Sequence, residues 1–168
     1  MVVKRFFTAL LVLVLGLAGY YFWPNTPLPE GVKADKLVVY KGDRRMEFWS
    51  GDQLVKTYKI SLGGNPLGHK EREGDSRTPE GLYYINDRNP NSRFHLNLGI
   101  SYPNQSDRKR PGKPGGDIKI HGIQNGLGWI GKFQRWTDWT DGCIAVTDTE
   151  IEELYAAVPN GTPIYLEP

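Results

Sequence analysis

From Phe6 to Trp23 the chain runs eighteen residues without a charge, mostly Leu, Val, Ala and aromatics. As a helix such a run is about 27 Å long, close to the hydrocarbon thickness of a bilayer. Lys4 and Arg5 precede it, an arrangement that keeps the N-terminus cytoplasmic and sends the remainder outward. Tyr20, Tyr21, Phe22 and Trp23 supply an interfacial aromatic cluster, and Pro24 ends the helix. A cleavable signal peptide is the rival reading, with Gly16 and Ala18 before a cut at Gly19. That cut falls inside the apolar run rather than after it. The sequence therefore predicts an uncleaved signal anchor over residues 1–23. The rest is exported and held at the inner membrane, in the periplasm or cell-wall space.

The exported part is electrically balanced. With Lys4 and Arg5 set aside, residues 24–168 carry 19 basic and 19 acidic groups, which gives no reason to expect nucleic acid. Gly and Pro recur throughout and exclude coiled coils and long helical arrays. Residues 24–35 read as an extended tether, with Pro24, Pro27, Pro29 and Gly31. Lys36–Tyr40 and Arg45–Trp49 flank a turn at Gly42-Asp43, and a second turn at Ser50-Gly51-Asp52 leads into Gln53–Ile60. Further strands fit Gly81–Ile85, Phe94–Leu98, Asp117–His121, Ile144–Val146 and Thr162–Leu166. Thr147-Asp148-Thr149-Glu150 has capping-box form, and Ile151, Leu154, Tyr155 and Val158 follow at helical spacing. Residues 36–168 are thus expected to form one mainly β domain with one or two short helices. The long loops at 61–79 and 99–116 are candidates for function.

Export changes the meaning of the single cysteine. Exported proteins pair their cysteines in disulfides, and Cys143 has no partner in the chain. It is either a small buried hydrophobe or a reactive thiol. Ile118-Lys119-Ile120-His121-Gly122 alternates like a strand ending at a histidine, and Cys143 follows twenty-two residues later. A thiol needs a base to react well at neutral pH, and a histidine is the usual one. Gly142 lets a substrate backbone approach and frees a main-chain N–H for an oxyanion. Such a thiol should react faster at pH 7 than a free cysteine does. His69 and His95 read as loop or surface residues, and three histidines in unrelated segments make no zinc site. No metal and no cofactor is expected.

These residues resemble the L,D-transpeptidase (YkuD) catalytic domain family, whose signature is His-Gly, a spacer, then Ser/Thr-x-Gly-Cys. The resemblance runs over roughly residues 36–167 and includes Arg77-Thr78-Pro79-Glu80-Gly81-Leu82-Tyr83 and Gly115–Gly122. Asp138-Trp139-Thr140-Asp141-Gly142-Cys143-Ile144-Ala145-Val146 is similar to the YafK-like branch. The resemblance implies an L,D-transpeptidase-like β-sandwich, Cys143 as nucleophile and His121 as base. Gly122 would orient the imidazole through its carbonyl, and Gly142 and Cys143 would offer oxyanion N–H groups, with Thr140 assisting. Asp141 stands where many members have His, and Ala145 where the family has Arg.

The implied substrates are peptidoglycan stem peptides, cross-linked by way of a thioester, with roles in cell-wall biogenesis and cell shape. Hydrolysis of the same bond is the alternative, as an L,D-carboxypeptidase or an amidase that releases a wall-attached protein. A non-catalytic peptidoglycan-binding module would be expected to lose the thiol or the histidine, and neither is lost. Residues 104–135 hold seven basic groups against two acidic ones. Arg108, Arg110 and Arg135 of that stretch, with Arg77 and Trp139, are the substrate-binding candidates.

Overall fold

The computed structural model describes residues 2–168. Helix α1 (Val2–Phe22) precedes strands β1 (Lys36–Tyr40), β2 (Arg45–Ser50), β3 (Gln53–Lys59), β4 (Gly81–Ser92) and β5 (His95–Ile100). A single turn of helix, α2 (Gln105–Arg108), then leads to β6 (Lys119–His121), a 3-10 segment (Gly128–Trp136), β7 (Ile144–Ala145), helix α3 (Asp148–Ala157) and β8 (Pro163–Glu167). The mainly β architecture with few helices is the one expected.

The strands form one hydrogen-bonded order, β3-β2-β1-β8-β4-β5-β6-β7. Strand β4 joins its two halves. Gly81–Tyr84 pair with β8, and the ladder then passes to β5 through register shifts after Ile85 and Asn89. The sequence suggests a strand only to Ile85, because Asn86-Asp87-Arg88-Asn89-Pro90 has turn composition; pairing with β5 overrides it. The chain beyond β3 then reaches the free edge of β7, where Ser61 and Ala145 exchange backbone hydrogen bonds of 2.9 and 2.8 Å. Both ends of the strand order therefore meet beside the cysteine.

One core fills the interior. Leu37, Val39, Met46, Phe48, Tyr58, Ile85, Leu98, Ile120, Ile144 and Ile164 are buried within it. Helix α3 closes one side through Ile151 and Leu154, both fully buried, each contributing about 2 kcal/mol by leaving water. Glu150 accepts from the Thr147 N–H at 3.0 Å, the return half of the capping box.

Two features depart from the sequence reading. The 3-10 segment was hidden in the Gly-rich stretch 126–131, where Gly131 takes a positive φ of 51°. Residues 24–35 contain no helix or strand, yet the stretch from Leu28 on is attached to the domain. Leu28 and Val32 lie against the core, Ala34 N–H donates to Ala157 O at 2.9 Å, and Lys33 Nζ to Ala156 O at 2.7 Å.

Lys41, just past β1, fixes the loop that carries the Thr-Pro motif. Its buried ammonium donates to Gly68 O (2.7 Å), Thr78 O (2.8 Å) and Glu80 Oε1 (2.8 Å). Burial lowers its pKa and the Glu80 carboxylate opposes that. Lys41→Met should cost about 3 kcal/mol in urea denaturation, because Glu80 and two carbonyls lose their partner. A loss near zero would show that the loop is held by other contacts.

Candidate active site

Strands β6 and β7 pair in parallel, with Ile120 beside Ile144 and His121 beside Ala145. Side chains alternate along each strand. Ile120 and Ile144 enter the core, so Lys119, His121, Cys143 and Ala145 share the opposite face. Two residues far apart in sequence thus become diagonal neighbours.

Close backbone contact sets the cysteine. Gly142 has φ 123°, and a Cβ there would lie 2.4 Å from Arg77 O. A Cβ on Gly63 would lie 2.1 Å from Ser76 O and 2.9 Å from the Gly142 Cα. Three backbones, at Gly63, Ser76-Arg77 and Gly142, therefore stack with no side chain between them. Gly63 N–H donates to Thr78 Oγ1 (3.3 Å), Gly64 N–H to Thr140 O (3.0 Å) and Thr140 N–H to Leu62 O (3.1 Å). Thr140 Oγ1 donates to Cys143 O (2.7 Å) and accepts from Gly142 N–H (3.2 Å). Sequence reasoning gave Thr140 and the Gly142 N–H outward roles at an oxyanion; in the structure they bind each other within the turn. The Cys143 N–H has no acceptor among the described residues.

His121 is buried, and its Nδ1 lies 2.7 Å from Gly122 O. A carbonyl only accepts, so Nδ1 carries the proton and Nε2 keeps its lone pair. The Gly122 backbone is itself closely packed. A Cβ there would lie 2.7 Å from Asp148 Oδ1, which accepts from Ile123 N–H at 2.7 Å. Phe94 stacks on the imidazole at 4.5 Å between centroids, and Trp139 meets it edge-on at 5.6 Å. Burial among these rings lowers the His121 pKa to about 4, with Lys119 and Arg93 adding to the fall and the Gly122 carbonyl opposing it.

The thiol is shifted the other way. Burial raises the Cys143 pKa, and the Asp117 and Asp141 carboxylates raise it further, while Lys119 lowers it. Sγ faces Asp117 O at 3.6 Å, and Asp117 itself adopts φ 61°. The site therefore rests as neutral thiol and neutral imidazole, unlike the activated thiol that the sequence suggests.

Cys143 and His121 open into one cleft of about 990 Å³. Its walls carry Lys70, Arg93 and Lys119 against Glu73, Asp117 and Asp141, with Asn89, Asn91 and Asn97 between. Asn97 pairs with His121 across β5 and β6, is 4% exposed, and its Oδ1 has no hydrogen-bond partner. Lys70 is anchored by Asp75 at 2.7 Å. Burial alone would raise the Asp75 pKa, but Lys70 and the N–H groups of Arg72, Glu71 and Arg77 hold it well below the carboxylate range.

Of the substrate-binding candidates, only Trp139 lines this cleft. Arg108 and Arg110 lie outside its lining, Arg135 is paired with Glu150 at 2.6 Å, and the Arg77 side chain turns to His69 O and Glu71. The cations of the cleft are others, among them Lys119, two residues before His121 on β6 and so on the same face. Phe94, Arg93 and Asn97 had no local signal, because the β4–β5 turn and β5 bring them in from a distant stretch. His69 lies in the long loop 61–79 and is half-buried. Its Nδ1 accepts from Glu80 N–H (3.1 Å) and its Nε2 lies 3.2 Å from Asp107 Oδ1. His95 is paired with Glu152 at 2.7 Å.

The family model for the L,D-transpeptidase catalytic domain (YkuD) matches residues 34–166. The chain belongs to the YkuD L,D-transpeptidase family. YafK of Escherichia coli K12 is 30% identical over 136 residues, covering 77% of this chain and 49% of YafK. YkuD of Bacillus licheniformis is 27% identical over 138 residues, covering 79% of this chain and 66% of the relative. The chain thus spans about half the length of YafK. Among solved structures, the helical cell shape determining protein Pgp2 of Campylobacter jejuni superposes with a TM-score of 0.60 at 23% identity, over 79% of this chain and 48% of that one. An L,D-transpeptidase of Xylanimonas cellulosilytica gives 0.53 at 14% identity, over 84% and 64%. Both share this family's fold.

The His121 shift has a consequence for stability. Its folded pKa of about 4 lies below the ordinary 6.5, so between those values the unfolded chain binds more protons. Its contribution is fully present above pH 6.5 and is lost as pH falls to about 4, on the order of 3 kcal/mol. Urea denaturation of wild type and His121→Gln from pH 7 to 4 should show a steeper loss in wild type. Parallel curves would place the imidazole in water.

Proposed function

We propose that the chain is a cysteine acyltransferase that cross-links peptidoglycan stem peptides. The carrying observation is that His121 Nε2, freed by the Nδ1–Gly122 bond, shares one strand face and one cleft with Cys143. Sγ attacks the carbonyl that follows the L-centre of a diaminopimelate residue, and its proton passes to Nε2. The C–N bond breaks, the imidazolium returns the proton to the leaving amine, and a thioester remains. An acceptor amine then attacks the thioester, gives its proton to His121, and restores the thiol.

Because the resting pair is neutral, thiolate need exist only during attack, when a bound substrate excludes water. The Cys143 N–H is available to the oxyanion. The unpaired Asn97 Oδ1 suits a backbone N–H of the stem peptide, and Arg93 and Lys119 suit its carboxylates. Anchored by α1, the enzyme would work on the outer side of the inner membrane.

Hydrolysis is the second reading, favoured by Ala145. That residue lies on the same face as His121, where the family arginine would project. Without that cation the acceptor side is less furnished, and water could take the thioester, trimming a stem or releasing a wall-attached protein.

Incubation of the full chain with purified muropeptides, followed by mass spectrometry, tests both. Cross-linked dimer supports transpeptidation; trimmed tripeptide or a released adduct supports hydrolysis. Cys143→Ala and Cys143→Ser should abolish either product, and His121→Ala should slow it by roughly 100-fold or more. Product formation that survives Cys143→Ala would sink the proposal, and no product from wild type would leave a binding module.

A further inference from the structure

We propose that the 3-10 segment Gly128–Trp136 is a membrane-interface contact that seats the domain directly on the bilayer. The inference rests on reading α1 as a membrane anchor, and goes beyond it by assigning a second, separate lipid contact to the folded domain.

The argument begins with length. Helix α1 has 21 residues, its most apolar window averages a hydropathy of 2.0, and none of its residues is buried by the protein. At 1.5 Å per residue it is about 32 Å long, which a hydrocarbon core of about 30 Å uses up. No turn of helix remains to hold the domain away from the lipid. Residues 24–35 add little spacing, since the chain rejoins the domain at Leu28, six residues after the helix ends.

The last turn of α1 is fixed to the 3-10 segment. Tyr20 packs on Phe133 and Trp136 at 5.8 and 6.0 Å between centroids, and Tyr21 on Phe133 at 5.5 Å. Tyr21 Oη donates to Trp129 O at 2.8 Å, and Lys132 Nζ donates to Trp23 O. A Cβ on Gly131 would lie 2.9 Å from the Tyr21 ring, so glycine allows this approach. Whatever height Tyr20 and Tyr21 take at the bilayer, the segment takes too.

The segment's chemistry suits that height. Trp129 is 71% exposed and Trp136 60%, next to Phe22 at 78% and Trp23 at 73%. Tryptophan prefers the headgroup level, where the ring is apolar and the indole N–H stays wet. Between Gly128 and Trp136 there is no acidic residue to be repelled by anionic lipid. The occupant of this surface is therefore the bilayer, continuous with the lipid that covers α1.

The contact also governs the cleft. Trp139 Nε1 donates to Gln134 Oε1 at 3.0 Å, and Ser61 Oγ to Gln134 O at 2.8 Å. Trp139 packs on His121, so one short segment ties the lipid contact to the catalytic face. The cleft is held at a set height above the membrane, on stem peptides within reach of its surface.

The test uses the full chain reconstituted in phosphatidylethanolamine–phosphatidylglycerol vesicles, with phosphatidylcholine brominated near the headgroup as a fluorescence quencher. Wild type should be strongly quenched. With both proteins carrying Trp23→Phe, which removes the anchor's own interfacial indole, the Trp129→Phe/Trp136→Phe variant should lose most of that quenching while remaining in the membrane pellet after carbonate extraction. Equal quenching in wild type and variant, with both in the pellet, would overturn the contact and leave the anchor standing. Release of wild type by carbonate would overturn the anchor, and the contact with it. Quenching that vanishes only on self-association of the chain would assign the surface to a second copy instead.

Discussion

The site depends on a place where three stretches of backbone touch with nothing between them. Gly63, the Ser76-Arg77 peptide and Gly142 stack so closely that a single methyl at Gly63 or Gly142 would collide with a carbonyl oxygen. Such contact needs glycine at both positions, and Gly142 needs it twice, since its φ of 123° disfavours any side chain. Each stretch is then secured from elsewhere. Thr78 and Thr140 hold two of them by their hydroxyls, and Lys41 pins the Thr-Pro loop from behind. Cys143 is the next residue along. Its position is thus set by main chain rather than by its own packing.

Burial determines the protonation of the site. The Phe94 and Trp139 rings remove water from His121, and the carboxylates of Asp117 and Asp141 stand on the thiol side. Both effects favour uncharged partners, the imidazole below its usual pKa and the thiol above. A neutral thiol reacts slowly with oxidants and alkylating agents, since only thiolate reacts quickly. The charge separation of attack then falls in a site where bound substrate replaces water.

Much of this was legible in the sequence, and the remainder was not, for identifiable reasons. Strands β1, β2 and β3, helix α3 and the apolar α1 follow periodicities and turn residues that act over a few positions. His121 and Cys143 stood out because a lone thiol beside a strand that ends in histidine is a ready nucleophile and base. The cleft's walls depend on pairing across the sheet. Asn97 lies opposite His121 only through the β5–β6 register, and Phe94 stacks on the imidazole from the turn that precedes β5. A count of charges pointed instead to the basic loop at 108–110, whose arginines lie outside the cleft, and to Arg135, which Glu150 already neutralises. The segment 128–136 was disguised by its glycines, which permit the kink at Gly131 that lets it meet α1.

The central claim is that burial keeps the Cys143 and His121 pair neutral at rest. The pH dependence of alkylation by iodoacetamide measures it directly, because Cys143 is the only thiol in the chain. The account predicts a rate at pH 7 below that of a free cysteine, still rising above the ordinary thiol pKa of about 8.5. A rate that is already at its plateau near pH 6 would mean a preformed thiolate–imidazolium pair and would contradict it.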